Sequence, residues 1–245
     1  PPIKNSADLV TADSAGTLWR YSPNYLGGFR ARDRVGGGWS TLKAGFNTDW
    51  NADGLQDILA QWNDGRLTLY RGQYGGGFRA PVTIGRGWGS MDITVGKWLR
   101  GSRYPSVVAR DGAGGLWHYA NTTGGALSST RSARIGGGWQ GLRIAMADWD
   151  RDGNQDILAT RTNGQLVLYR SNGQARFVGE TRRIIGSGWQ SMDSLTAVSG
   201  FQGPGSYGLR ARTSSGDLRI YPMRGNSWGP SATIGRGWQS YNLFR

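Results

Sequence analysis

The chain has 245 residues, 42 of them glycine and 12 tryptophan, with one histidine, one glutamate (Glu180), no cysteine and a formal net charge of +13. That composition starves helices of their usual formers, supplies turns in quantity, and excludes disulfide and thiol chemistry. No apolar run approaches the ~20 residues needed to cross a bilayer, and the scattered arginines form no run, recognition helix or RNP-type signature, so neither membrane insertion nor specific nucleic-acid binding is expected.

A basic surface of this kind is either simply solvated or suited to acidic glycans and anionic cell-surface polymers. Pro1-Pro2 reads as the tail of a linker, and with no signal-peptide pattern the chain is expected to be a mature protein or an excised domain. The first strand-like run is Ala7–Thr11. After it, two marks recur along the chain. Leu-x-x-Tyr ends at Tyr21, Tyr70, Tyr119, Tyr169 and Tyr221, spaced 49, 49, 50 and 52 residues apart. Gly-x-Gly-Trp, preceded by Ile or Val, ends at Trp39, Trp88, Trp139, Trp189 and Trp238, spaced 49, 51, 50 and 49. Two independent marks with one period define five repeats, approximately 1–48, 49–96, 97–147, 148–199 and 200–245, within a single domain.

Each repeat carries four short strand-like runs divided by Gly/Asp/Asn/Ser turns; in the second they are Met91–Gly96, Asp57–Gln61, Arg66–Arg71 and Phe78–Ile84. Four strands per ~50 residues predict an all-β, five-bladed β-propeller with four antiparallel strands per blade. The chain starts on a second strand and finishes on an inner one (Ser240–Arg245). The N- and C-terminal strands are therefore expected to share one blade and close the ring.

Two loops stand out in order. Asp49, Asn51, Asp53 and Asp57, and 99 residues later Asp148, Asp150, Asp152 and Asp156, follow the pattern D-x-[DN]-x-D-G-x-x-D and run straight into Ile-Leu-Ala. Alternating oxygen ligands around a glycine turn, with no His or Cys nearby, suit a hard cation. Two Ca²⁺ sites are expected, with the backbone carbonyls of Leu55 and Asn154 completing them; an Asp/Asn-rich solvated turn is the plainer alternative. An EF-hand is excluded because its twelfth position holds Ala60 or Ala159. The corresponding stretches Lys4-Asn5-Ser6, Lys97–Arg103 and Gly200–Gly205 lack the cluster. A low-affinity Ca²⁺ loop fills outside cells, which favours a secreted protein.

The acidic loop leading into Ile-Leu-Ala resembles the FG-GAP/VCBS repeats of integrin-type propellers. Ile-Gly-x-Gly-Trp, followed three positions on by Leu42, Met91, Leu142, Met192 or Tyr241, is similar to tachylectin-2-type repeats. The resemblance spans all five repeats and implies a secreted, multivalent lectin binding N-acetylated or cell-surface glycans between blades. FG-GAP domains are also fused to secreted hydrolases, so a targeting or protein-interaction propeller belonging to a larger toxin or enzyme is the alternative. The sequence departs from tachylectin by its acidic loops and from most FG-GAP proteins by its five repeats.

A sugar site needs an aromatic platform and fixed polar groups. Trp39, Trp88, Trp139, Trp189 and Trp238 offer one aromatic per blade junction. The second-to-third-strand turns, expected at the same end, offer Asp13, Asp64, Asp111, Asn163 and Ser215. The tryptophans serve equally as wedges between blades. His118 is the only histidine and stands where Leu69 and Leu168 stand in other repeats, so triads and zinc sites lack parts and no enzyme is expected.

Overall fold

The computed structural model describes residues 3–245, and for 129–132 the backbone alone; Pro1 and Pro2, read above as a linker tail, lie outside them. Five four-stranded antiparallel sheets stand in a ring with almost no helix. In the first blade the order from the axis outward is Asn242–Leu243, Leu9–Ala12, Leu18–Tyr21, Asp33–Gly36. The second is Leu42–Thr48, Asp57–Trp62, Leu67–Tyr70, Val82–Gly85, and the third is Asp92–Gly96, Ser106–Arg110, Leu116–Asn121, Leu127–Gly136. The fourth is Arg143–Ala147, Asp156–Thr160, Leu166–Tyr169, Arg183–Gly186, and the fifth is Met192–Ser199, Tyr207–Thr213, Leu218–Pro222, Ala232–Gly235.

The ring closes as expected, with Thr11 and Ala12 paired to Leu243 and Asn242. One strand assignment is corrected. Met91–Gly96 does not belong with Asp57–Gln61: Asp92–Gly96 pairs with Ser106–Arg110 in the third blade, and Leu42–Thr48 is the second blade's inner strand. The cause is chain order, since Gly-x-Gly-Trp hands the chain to a new blade before the inner strand begins.

The second strand of each blade is largely buried because both of its faces meet a neighbouring blade; Asp57–Trp62 and Asp156–Thr160 are buried at every position. Each Gly-x-Gly-Trp tryptophan then fills a seam. Its ring lies on the tyrosine of the next blade, with centroid separations of 4.8 Å (Trp39–Tyr70), 4.7 Å (Trp88–Tyr119), 4.3 Å (Trp139–Tyr169), 4.7 Å (Trp189–Tyr221) and 4.9 Å (Trp238–Tyr21). The indole nitrogen folds back over the glycine three residues earlier. A methyl group at Gly85, Gly136, Gly186 or Gly235 would collide with it. At the other end of the seams, Trp50, Trp98, Trp149 and Phe201 follow the inner strands and are sealed from solvent.

Candidate functional site

The antiparallel order puts two kinds of turn at opposite ends of each blade. Acidic loops join inner to second strands and share their end with the third-to-fourth-strand hairpins. Gly-x-Gly-Trp shares the other end with the second-to-third-strand turns. Both placements are fixed by hydrogen bonds. Asp57 accepts from the backbone N–H groups of Trp50 (2.9 Å) and Gly72 (2.8 Å), and Asp156 from those of Trp149 (3.1 Å) and Ser171 (2.9 Å). At the far end, the Trp39, Trp88, Trp139, Trp189 and Trp238 N–H groups donate to Gly16, Gly65, Gly114, Gly164 and Gly216 at 2.9–3.0 Å.

The second acidic loop gathers Asp148, Asp150 and Asp156, whose carboxylate oxygens lie within 4.8 Å of one another, an arrangement that can hold a metal ion. Burial pushes the Asp156 carboxyl up to about 7 and, in the first loop, Asp57 up to about 6. Such desolvated carboxylates lack a countercharge. Asp148 Oδ1 is buried and accepts no hydrogen bond. An all-oxygen donor set of three carboxylates, only one of them paired with an arginine, fits a hard cation. Asp152 lies outside the trio and takes the Asn154 N–H at 2.7 Å. Arg170 binds Asp150 at 3.0 Å and is itself held by Glu180 at 2.6 Å.

In the first loop Asn51 stands in place of Asp150, and among the described residues no comparable trio of acids forms there. Asp49 receives the N–H groups of Asp53 (3.1 Å) and Gly54 (3.0 Å), and Asp53 receives that of Leu55 (2.9 Å). One local feature was not anticipated. Besides Gly54 and Gly153, the non-glycine residues Ala52 (φ 56°) and Arg151 (φ 60°) sit in the left-handed region, at a cost of roughly 1 kcal/mol each. Two left-handed residues per loop make the curl that directs the acids inward.

The sugar-platform expectation is corrected. Trp39, Trp88, Trp139, Trp189 and Trp238 are only 4–8 % exposed, so no ring face is free for a ligand: they are the inter-blade wedges. The turn residues are not equivalent either. Asp64 pairs with Arg66 (2.7 Å), Asn163 accepts from the Gln165 N–H (3.1 Å), and Ser215 bonds Thr213 (2.8 Å), so each fastens its own turn. Asp13 and Asp111 occupy an earlier turn position. They accept the indole N–H of Trp19 and Trp117, each at 2.8 Å, and both tryptophans are half-buried.

A set of aromatics absent from the expectations completes the seams. Phe29, Phe78, Phe177 and Trp228 bridge the mouth of the third-to-fourth-strand hairpin. They stand 5.8–6.2 Å from Tyr21, Tyr70, Tyr169 and Tyr221. Their signal was a constant offset of seven or eight residues after each tyrosine, where the third repeat has Leu127. Beside Phe177 an open groove of about 540 Å³ runs between the third and fourth blades, lined by Arg134, Arg176, Arg182 and Gln174. A second cavity, about 520 Å³, opens at one mouth of the central channel. Its cations are engaged within the protein: Arg245 with Asp92 (3.0 Å), Arg212 with Asp193 (2.7 Å), and Lys43 with the Gly89 carbonyl (2.6 Å).

His118 is 4 % exposed and bonds Ser106 Oγ at 2.9 Å; burial pushes its imidazole down from 6.5 to about 4. Between those values the unfolded chain binds the proton and the folded one does not. The stabilising contribution is therefore present above pH 6.5 and lost as pH falls through 4, on the order of 3 kcal/mol. Thermal melts from pH 7 to 4.5 should show His118→Leu losing less stability on acidification than the wild type; parallel curves would refute this.

An FG-GAP-like repeat model matches residues 104–159 and 148–198. No curated protein sequence matches the chain. Among solved structures, the BP39L lectin from Burkholderia pseudomallei superposes with a TM-score of 0.53 at 13 % identity, covering 92 % of this chain and 69 % of its own. AofleA from Arthrobotrys oligospora gives 0.51 at 11 % identity, covering 94 % and 68 %. At these identities the likeness is one of fold. The chain is a five-bladed β-propeller, and the FG-GAP-like match covers part of its third blade and the fourth blade.

Proposed function

We propose that this is a secreted, multivalent carbohydrate-binding propeller whose acidic loops hold two structural Ca²⁺ ions. The observation that carries the reading is the open groove where Arg134, Arg176 and Arg182 surround Phe177. Guanidinium donors around an aromatic edge, in a shallow and wet cleft, suit a hydroxyl-rich ligand better than an apolar one. The similarity in fold to a lectin agrees with it. N-acetylated and cell-surface glycans, including anionic polymers drawn by the +13 charge, are the expected class. Asp49, Asn51, Asp53 and Asp57 would hold one ion and Asp148, Asp150 and Asp156 the other, with the Leu55 and Asn154 carbonyls contributing. The ions would supply charge compensation and loop rigidity. A glycan array probed in Ca²⁺ buffer tests the reading, and single sites should be weak, with avidity from several on one rigid ring.

A second reading has an observation of its own. Tyr25 (50 % exposed), Leu26 (91 %) and Tyr74 (88 %) stand on the last hairpins of two adjacent blades, at the end that carries the acidic loops. Apolar tips suit a protein partner or a fused domain. A chain that binds no glycan across the array puts this reading first.

A further inference from the structure

Blades one and three share a set of residues that the other three lack. In each, a turn aspartate grips a tryptophan six residues on: Asp13 holds Trp19 and Asp111 holds Trp117, both at 2.8 Å through Oδ2. Directly across the outer pair of strands, Trp19 faces Arg34 and Trp117 faces Arg134. Both guanidinium groups fold over the middle glycine of Gly-Gly-Gly-Trp. A Cβ at Gly37 or Gly137 would come within 3.3 or 2.9 Å of the Arg34 or Arg134 Nη2.

Blades two, four and five change every member together. The pairs across the strands become Thr68–Thr83, Val167–Ile184 and Arg219–Thr233. The middle glycine becomes Arg86, Ser187 and Arg236, and the turn aspartate becomes Trp62, Arg161 and Thr213. If the aspartate served only to staple its hairpin, neither the arginine nor the glycine would be needed. Blade two staples the same hairpin with Trp62 Nε1 on Thr68 Oγ1 (3.1 Å) and has a threonine opposite. Folding accounts for little of the extra arginine and the space cleared for it: Arg134 makes one exposed bond to its own turn, Nε to the Gly136 carbonyl at 3.3 Å.

We propose that Asp13–Trp19–Arg34 and Asp111–Trp117–Arg134 are two copies of one sugar platform, each taking a neutral hexopyranose ring. This rests on the carbohydrate-binding reading; it moves the contacts from the buried wedge tryptophans to the half-buried strand tryptophans and sets the number of these platforms at two. The indole, locked by its N–H bond, offers a rigid surface for the C–H face of a sugar. Each carboxylate keeps lone pairs for ligand hydroxyls, and the guanidinium supplies donors for ring and exocyclic oxygens. In the third-blade copy one negative and one positive group leave no net charge to favour an acidic sugar. The Trp117 N–H, the Gly115 N–H and, more weakly, the Arg134 charge keep Asp111 below the usual carboxylate range, so it remains an acceptor. Blade one carries an additional cation, Arg32, 4.0 Å over the Trp19 ring, where the third blade's sequence has Ser132. The Trp117 copy is accordingly expected to be the tighter.

The test uses the intact chain, a printed array of neutral and acidic oligosaccharides, and calorimetry with the best neutral binder. Trp19→Ala/Trp117→Ala and, as a pair that leaves the hairpins stapled, Arg34→Ala/Arg134→Ala should each weaken neutral-glycan binding at least tenfold. Melting temperatures of the arginine pair should stay near wild type. Wild-type stoichiometry should be two, falling to one in Trp117→Ala. Undiminished binding by both double variants would overturn the platforms while the carbohydrate reading stands. Binding confined to acidic glycans would overturn the neutral class. A wild type that binds no glycan at all would sink the reading and the platforms with it.

Discussion

Trp139→Ala is expected to lower folding stability by about 3–5 kcal/mol, the usual loss for truncating a buried large aromatic. Trp139 is 4 % exposed and touches Tyr169 and Phe177 of the next blade, so its removal opens a seam rather than a pocket within one sheet. For a chain of this size that corresponds to a fall in melting temperature of roughly 6–20 °C. Trp88→Ala should behave alike, since Trp88 stands in the same relation to Tyr119. Glycan binding per folded molecule should be unchanged in Trp88→Ala, which lies away from the Phe177 groove. A melting temperature within a degree of wild type, or loss of binding without loss of stability, would return these tryptophans to the ligand site.

Chelation is expected to produce the second large effect. An ion bound only by the folded state adds about 2.7 kcal/mol at a concentration one hundred times its dissociation constant. Removing Ca²⁺ should therefore lower the melting temperature by roughly 5–10 °C for each filled site. The fourth-blade loop should dominate, because it alone among the described residues brings three carboxylates together. Asp148→Asn should abolish most of the shift, and Asp53→Asn should abolish less. Melts with and without chelator, paired with calorimetric titration, check this. Equal melting curves and no heat of binding would show the loops to be solvated turns.

The ring was legible because its causes are periodic. Two marks recurring every ~50 residues bound five similar units, and four strand-like runs in each implied that neighbouring blades cover one another's faces. The sharing of one blade by Leu9–Ala12 and Asn242–Leu243 followed from phase alone. What pattern cannot separate is a tryptophan that wedges from one that displays its ring. Trp39 and Trp19 are both aromatic and near a turn, and only the crossing of the chain to the next blade buries the first. The turn residues failed for a related reason. Asp13 and Asp64 both precede a turn glycine, but by three residues and by one, and that offset lets the Asp13 carboxylate reach an indole as well as its own turn, whereas Asp64 fastens only its own turn. The left-handed Ala52 and Arg151 were illegible because neither residue type announces that conformation.

The pairing of Asn242–Leu243 with Leu9–Ala12 is only two residues long, yet it changes how the molecule comes apart. Linear arrays of repeats fray, because an end unit has one neighbour and loosens first. In a circle each of the five units is flanked on both sides, so no unit is terminal and none has a cheap exit. Slow amide exchange should consequently be shared by the second strands of all five blades, with similar opening free energies, instead of grading along the chain. Breaking that short pairing, for example with a proline at Thr11, whose hydroxyl also bonds the Asn242 carbonyl at 2.9 Å, should convert uniform protection into a gradient falling toward the first blade.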